Sequence, residues 1–522
     1  MINRDLALYD VRDFGATGDK ADHAQAAIQQ AIDACNAAGG GIVYFPPGAY
    51  TSGTLHLRSH VTLHLEAGAT LYASKDPAHF DQRALVYAAD AENIALEGRG
   101  MLDGQAEYEW RLNDLEDRYI YSNQVIMEKL KLPLRRAFPT ANSVGHLVLL
   151  VRCTDVRISG LSFVRSPLWT IHPWGCERLL IDGVTIRTSQ ETGVWADGID
   201  PDGCRDVCIS NCTIETGDDA LVFYSSPIHG PARACENITV TNCRLSSSSS
   251  AIKFCDGNMV AVRNVVIDNC VITNSNRGIA FMVFDGGVVE NVVLSNLTIE
   301  CRTFDWFWWG EADPLHFRLI RRSELDPRVD KDSEPGIGAM RNIVIRNVIA
   351  RGMGSSMIEG HVTSPLENVT LDNVRLAVAW NPDEPLQRTR DALTIRNARN
   401  FTLRDVEIVW EGEPASRAQS ALVVDEVEDL VLDAVSARQA RADSGAAAIR
   451  LRNVRWAAVR NCRAQVGTDI FLRCEGRRTQ EIRLSGNDIR RATYGLVLSP
   501  KTPPYEVHNA DLPPAEPKRK ES

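Results

Sequence analysis

The sequence predicts an all-β chain wound as a right-handed, single-stranded parallel β-helix with a short N-terminal capping helix. Three observations carry that prediction. First, a short unit recurs: a polar residue, often Arg or Glu with Asn, then alternating apolar residues, then Asn or Asp-Gly. Glu92-Asn93-Ile94-Ala95-Leu96, Thr154-Asp155-Val156-Arg157-Ile158 and Glu177-Arg178-Leu179-Leu180-Ile181 are examples, and such alternation is the mark of a strand. Second, successive units starting at Arg205, Glu236, Arg263 and Glu290 lie 31, 27 and 27 residues apart, within the range of solenoid repeats. Third, Asn211, Asn242, Asn269, Asn296, Asn347 and Asn373 recur at one place in the unit. Stacked coils would align them as a ladder of amides pairing along the axis. A propeller needs about four strands in a longer repeat, and this unit is too short.

Residues 1–75 read as a cap with the first strands. Asp22 to Ala38 places Ala27, Ile28, Ala31, Ile32 and Cys35 at helical spacing behind Asp22 as N-cap. Gly39-Gly40-Gly41 ends that helix, and Ile42-Val43-Tyr44-Phe45 follows as a strand. A helix here suits a solenoid, whose terminal unit needs an atypical outer face. Residues 76–500 carry the coils, with units continuing at Arg341, Glu367, Arg399 and Glu428. Two insertions break the period. Residues 105–145 hold the basic run Lys129 to Arg136, and residues 302–340 hold Phe304-Asp305-Trp306-Phe307-Trp308-Trp309. Long loops on a rigid scaffold are where recognition concentrates, and such rings suit stacking on sugar faces. Residues 501–522, rich in proline and charge, read as a disordered tail.

A net charge of −11 over 522 residues argues against nucleic acid and anionic membrane partners. No apolar run approaches the ~20 residues of a membrane span. Met1-Ile2-Asn3-Arg4-Asp5-Leu6-Ala7 shows neither an apolar core nor a cleavage site, so the expectation is a cytoplasmic protein, or a secreted one if the N-terminus is truncated. Thirteen cysteines, an odd number, do not form a disulfide framework in that setting. Cys204, Cys208 and Cys212 lack an accompanying histidine cluster and read as small core residues instead of metal ligands. Neither a metal nor another cofactor is expected, and the oligomeric state is open.

The chemistry points to Trp195-Ala196-Asp197-Gly198-Ile199-Asp200 and Thr216-Gly217-Asp218-Asp219-Ala220. Asp197 and Asp218 lie 21 residues apart with the alternating strand Arg205–Ile214 between them. One coil apart in a stacked parallel sheet means about 4.8 Å. Carboxylates that close repel, and one must hold its proton.

Several ordered segments resemble glycoside hydrolase family 28, the polygalacturonase-like pectinases. They are Phe14-Gly15-Ala16-Thr17-Gly18-Asp19, Gly39 to Tyr50, Ser166-Pro167-Leu168-Trp169-Thr170-Ile171-His172-Pro173, Asp197 to Cys204 and Thr216-Gly217-Asp218-Asp219. The likeness runs over roughly residues 9 to 380 and fades afterwards. It implies a pectin-lyase-like solenoid and catalysis by Asp197, Asp218 and Asp219, with Asp218 as general acid and the other two holding and deprotonating the water. It also implies inversion, in which the carboxyls stand ~6.5–9.5 Å apart.

The chain departs from the family on its substrate side. Trp195 stands where the family has asparagine, Ser249-Ser250-Ala251 where it has G-H-G, and Ala280-Phe281-Met282 where it has R-I-K. Losing that basic pair removes charge-assisted contacts to a uronate carboxylate, for which Lys253 and Arg277 are the nearby substitutes. The substrate-binding set expected is therefore Trp195, Asp200, His172, Lys253, Arg277, Trp308 and Trp309.

The function expected is hydrolysis of pectin-derived or related oligosaccharides, inverting and exo-acting. Two other readings stay open from the residues alone. One is a β-helix lyase or epimerase with Asp197, Asp200 and Asp202 holding Ca²⁺. The other is a non-catalytic carbohydrate-binding β-helix.

Overall fold

The computed structural model describes residues 7–112, 135–139, 145–304, 310–325, 329–380, 390–442, 444–503 and 507–510. Trp308, Trp309 and most of the 105–145 insertion lie outside the described residues. The chain divides into two compact units, Met1–Met340 and Arg341–Ser522.

In the first unit a helix, Gln25–Ala37, buries Ile28, Ala31, Ile32 and Cys35 as their spacing requires. Its N-cap is Ala24, not Asp22. His23 is bridged to Thr51, which keeps the chain extended to that point, and the Asp22 carboxylate accepts from the Thr17 hydroxyl at 2.8 Å instead.

Parallel strands then stack in right-handed coils. One ladder runs through Glu92–Gly98, Thr154–Ser159, Glu177–Asp182, Arg205–Ser210 and Cys235–Thr241. A second passes through Ser162–Val164, Thr185–Arg187, Thr213–Thr216 and Arg244–Ser247. The third bears the candidate site. It includes Ala84–Ala89, His146–Val151, Ile171–Trp174, Leu221–Ser225, Ser250–Asn258, Arg277–Val283 and Asp313–Leu319.

Side chains of like kind meet along the stack. Phe223, Phe254, Phe281 and Phe317 form a buried file with successive centroids 5.1, 4.2 and 4.1 Å apart. Because alternate residues face opposite sides of a strand, that file turns Ala280, Met282, His316 and Arg318 to the outer face. Asp313–Leu319 is thus a regular strand inside the stretch 302–340, which the sequence reads as insertion. The aromatic run before it hides its alternation.

The asparagine ladder forms. Asn242 donates to Asn211 at 3.3 Å, Asn269 to Asn242 at 2.6 Å, and Asn373 to Asn347 at 3.0 Å. Asn296 breaks the file by donating to Asp268. A second ladder, unforeseen, links Asn237, Asn264 and Asn291. All these asparagines sit at φ between 53° and 59°, the left-handed region that Asn tolerates best among residues with a Cβ. The position is selected by backbone conformation as much as by amide pairing. Cys204 and Cys212 pack in the core, whereas Cys208 faces outward and is half-buried.

The second unit repeats the scheme by itself, with Val369, Phe401, Leu430, Ala457 and Ile482 in register. Its last described strand, Val507–Asn509, pairs with Gln480–Ser485, so part of the expected tail continues the sheet. An open last coil offers unpaired backbone groups that such a segment satisfies.

Candidate active site

The third ladder thins between Ile171–Trp174 and Leu221–Ser225. There the chain contributes only isolated bridges, Ile199 to Ile171 and Leu221, and Asp202 to Trp174 and Tyr224. Pro201 lacks the N–H a continuous strand needs. Tight turns occupy the gap and carry the acids. A Cβ on Gly198 would stand 2.3 Å from the Ala220 carbonyl oxygen, and one on Gly217 would stand 2.2 Å from that of Ser189. Only glycine lets these backbones approach.

Asp197, Asp218 and Asp219 converge, one oxygen of each lying within 4.8 Å of the others. The Trp195 N–H donates to Asp218 Oδ2 at 3.0 Å and the Asp219 N–H to Asp218 Oδ1 at 3.0 Å. Asp219 accepts from the Ser250 N–H at 2.8 Å through Oδ1 and from Lys253 Nζ at 2.8 Å through Oδ2. Hydroxyls pin the turns: Thr170 Oγ1 donates to the Asp197 carbonyl, Ser247 Oγ to the Asp218 carbonyl and Ser248 Oγ to the Gly217 carbonyl. Ser247 and Ser248, just before the departed Ser249-Ser250-Ala251, together with the Ser250 N–H, are therefore the scaffold of the acidic turn.

Burial and mutual repulsion favour the protonated forms. Asp218 is pushed up to about 7, first by desolvation and then by Asp219; Lys253, the Trp195 N–H and Ser249 oppose the shift. Burial, then Asp218, Asp200 and Asp219, raise Asp197 well above the usual carboxylate range. Asp200 is raised for the same reasons, burial first and Asp219 next. Both Asp200 oxygens are buried with no hydrogen-bond partner among the described residues, as is Asp197 Oδ1. The close acids are the only set of three or more His, Cys, Asp or Glu ligand groups that converge among the described residues. Asp202 does not join it. Its carboxylate is raised to about 6 by burial and accepts from the Ser226 N–H and hydroxyl, so the calcium set Asp197, Asp200 and Asp202 is not assembled.

The predicted substrate side is placed as follows. Lys253 sits beside Asp219. Arg277 is buried with Asp313 and Asp219 near it, desolvation lowers its affinity for a proton, and its Nη1 reaches Met282 Sδ at 3.5 Å. Trp195, at φ 64°, contributes its backbone N–H to Asp218. Asp200 and His172 occupy neighbouring positions on the outer face, since Ile171 pairs with Ile199. In that same row Val222 pairs with Lys253, Lys253 with Ala280, and Ala280 with His316.

Sequence reasoning missed Trp169, Tyr224, His146, His229, Asp313 and His316. The only signal for His316 was the alternation of Asp313-Pro314-Leu315-His316-Phe317-Arg318-Leu319. The others converge from separate coils.

Fold and site together define a parallel β-helix with clustered carboxylates in the thinned part of one ladder. The profile of glycosyl hydrolases family 28 matches residues 35–301, and the chain belongs to that family. A Vitis vinifera protein named "Probable polygalacturonase" is 28% identical over 235 residues, covering 41% of this chain and 43% of its own. The chain spans about half the length of the curated relatives it matches. Among solved structures, the family 28 exopolygalacturonase of Yersinia enterocolitica superposes with a TM-score of 0.62 at 19% identity, over 82% of this chain and 78% of that one. The exopolygalacturonase of Thermotoga maritima gives 0.56 at 24% identity, over 71% and 87%. These likenesses establish the fold.

Proposed function

We propose that the protein hydrolyses glycosidic bonds of pectin-derived or related oligosaccharides, by inversion and from a chain end. The observation that carries this reading is the convergence of Asp197, Asp218 and Asp219 within 4.8 Å. Asp218, pushed up to about 7, keeps a proton for the leaving oxygen near neutrality. Asp219 receives the proton of the attacking water, and Asp197 orients that water.

The short spacing of the nearest oxygens would by itself suit a retaining pair, whose carboxyls stand about 5–5.5 Å apart. Inversion is favoured by the state of Asp219. Both of its oxygens already accept hydrogen bonds, from Ser250 and Lys253, which makes it a poor nucleophile yet leaves lone pairs for a water. A third carboxylate also gives that water a second acceptor. Exo action is supported by the insertions at 105–145 and 302–340, which flank the acids in sequence, and by the exopolygalacturonase names of several similar proteins.

The test is incubation with pectic oligomers of defined length, following new reducing ends and product sizes. One small product from the first minutes supports the reading. A ladder of intermediate lengths opposes exo action, and no new reducing ends on any oligomer opposes hydrolysis.

A further inference from the structure

A wall of aromatic and imidazole rings stands beside the acids, drawn from strands on both sides of them in the chain. Trp169 and Tyr224 stack at 4.9 Å with their planes 18° apart. Trp169 meets His172 edge-on at 4.7 Å and His146 at 5.9 Å, while His172 lies 4.9 Å from His146 and 5.6 Å from His229. Trp169 precedes Thr170, whose N–H and hydroxyl both donate to the Asp197 carbonyl. The wall is therefore bonded directly to the acidic turn. Trp169 itself is only half-buried, unlike His172, which is fully enclosed.

His146 Nδ1 is spent on the Trp169 carbonyl at 3.0 Å, but other polar atoms beside the rings are not. Both ring nitrogens of His172, Nε2 of His229 and both oxygens of Asp200 are buried without a hydrogen-bond partner among the described residues. The nearest approach of His172 to an acid is 3.7 Å, to Asp202, too long for a hydrogen bond. Native proteins rarely leave so many buried polar atoms in one place unless a ligand or water completes them. An apolar ring face beside unspent donors and acceptors is how a sugar is held: C–H groups on the ring, hydroxyls on the polar atoms.

The wall also states the charge of its ligand. Burial lowers His146 and His229, and brings His172 down to about 3, so the imidazoles are neutral. Arg233 packs over Trp174, 6.0 Å from its ring. Lys253 stands three strands along the row from His172, about 14 Å at the spacing of a parallel sheet, and is tied to Asp219. Arg83 acts on His146 and Arg152 on His229 only as lesser influences than burial, while Asp202 lies 3.7 Å from His172, a setting that favours an uncharged ligand.

We propose that Trp169 and His229, the partly exposed rings, backed by the enclosed His172 and Asp200, form a subsite for a neutral sugar unit, one with an uncharged hydroxyl face and an apolar face, next to the bond that is cleaved. This rests on the hydrolase reading for its role, but its binding can be measured without turnover.

The test uses the full chain in an Asp218→Asn background, with methyl galactopyranoside and methyl rhamnopyranoside as neutral probes and galacturonate as the acidic one, by calorimetry and saturation-transfer NMR. The neutral glycosides should bind more tightly than galacturonate. Trp169→Ala should weaken them about tenfold, Trp169→Phe should restore most of the loss, and His172→Gln should weaken them too. Thermal melts monitor folding. Should Trp169→Ala fail to fold, saturation transfer from aromatic protons to the C–H face of the neutral glycosides, reduced in Trp169→Phe, supports the subsite, and its absence overturns it. Galacturonate binding as well as the neutral probes, or neutral binding indifferent to Trp169, overturns it. Neutral binding with no hydrolysis of any oligomer would leave the subsite standing and remove the hydrolase reading instead.

Discussion

Lys253 Nζ lies 2.8 Å from Asp219 Oδ2, and this contact makes the two adjacent aspartates unequal. Asp219 has a cation at hydrogen-bond distance, whereas Asp218 is held by backbone N–H groups and is pushed up to about 7. The acid and base roles follow from that asymmetry.

Replacing Lys253 by Met should therefore alter a pH profile as well as a rate. Lys253 is among the groups that hold Asp218 down; without it Asp218 keeps its proton to higher pH. The alkaline limb of kcat should move upward, and kcat should fall about 10–100-fold as Asp219 loses its partner. A pH series of initial rates checks both, and an unmoved alkaline limb would count against the assignment.

Asp218→Asn and Asp219→Asn should each lower kcat by about 10²–10⁴-fold or more, the usual worth of a positioned proton transfer. Asp218→Asn should not lower the melting temperature at neutral pH, since it relieves a crowded buried acid, whereas Asp219→Asn leaves Lys253 without its ion-pair partner and should lower it. Paired kinetics and thermal melts give the answer. Near-normal turnover in either variant would refute its role.

The same crowding makes stability depend on pH. An acid raised in the folded state binds its proton there after the unfolded chain has released it. Its cost is absent below the ordinary carboxylate range and grows as pH rises towards the raised value, about 6 for Asp202 and about 7 for Asp218. The protein should melt higher at pH 5 than at pH 8. Asp200→Asn, which removes a buried carboxylate whose oxygens have no described partner, should gain roughly 1–3 kcal/mol at pH 8 and much less at pH 4. A loss of stability at pH 8 would contradict the reading of Asp200.

Substrate charge is the next expectation. Ala280 and Met282 face outward in register with His316 and Arg318, and the neutral ring wall lies on the other side of the acids. Fully de-esterified polygalacturonate should be a poorer substrate than methyl-esterified or neutral-sugar-containing oligomers. Reducing-end assays on matched oligomers decide it, and equal or faster cleavage of the polyanion would reverse it.

The coils and the acids were legible because they depend on short-range pattern. Alternation places Val207 and Ile209 in the core, and one repeat brings Asp197 to Asp218. What escaped depends on backbone conformation or on residues from distant coils. Asp22 looked like a cap because its side chain suits one, but the bridge at His23 delays the helix. Ser249-Ser250-Ala251 looked like a loss, and the role of Ser247 and Ser248 just before it escaped because their bonds go to carbonyls that sequence cannot place. The ring wall draws on residues 146, 169, 172, 224 and 229, which no local pattern joins.

The most direct measurement is time-resolved ¹H NMR of the first product released from an oligomer of known anomeric configuration. Hydrolysis by an Asp218 acid and an Asp219-activated water predicts a free sugar that is initially of the inverted anomer, and no product from Asp218→Asn. A product of retained configuration would replace water attack by a covalent intermediate. An unsaturated sugar, or equal turnover by the Asp218 variant, would contradict the account altogether.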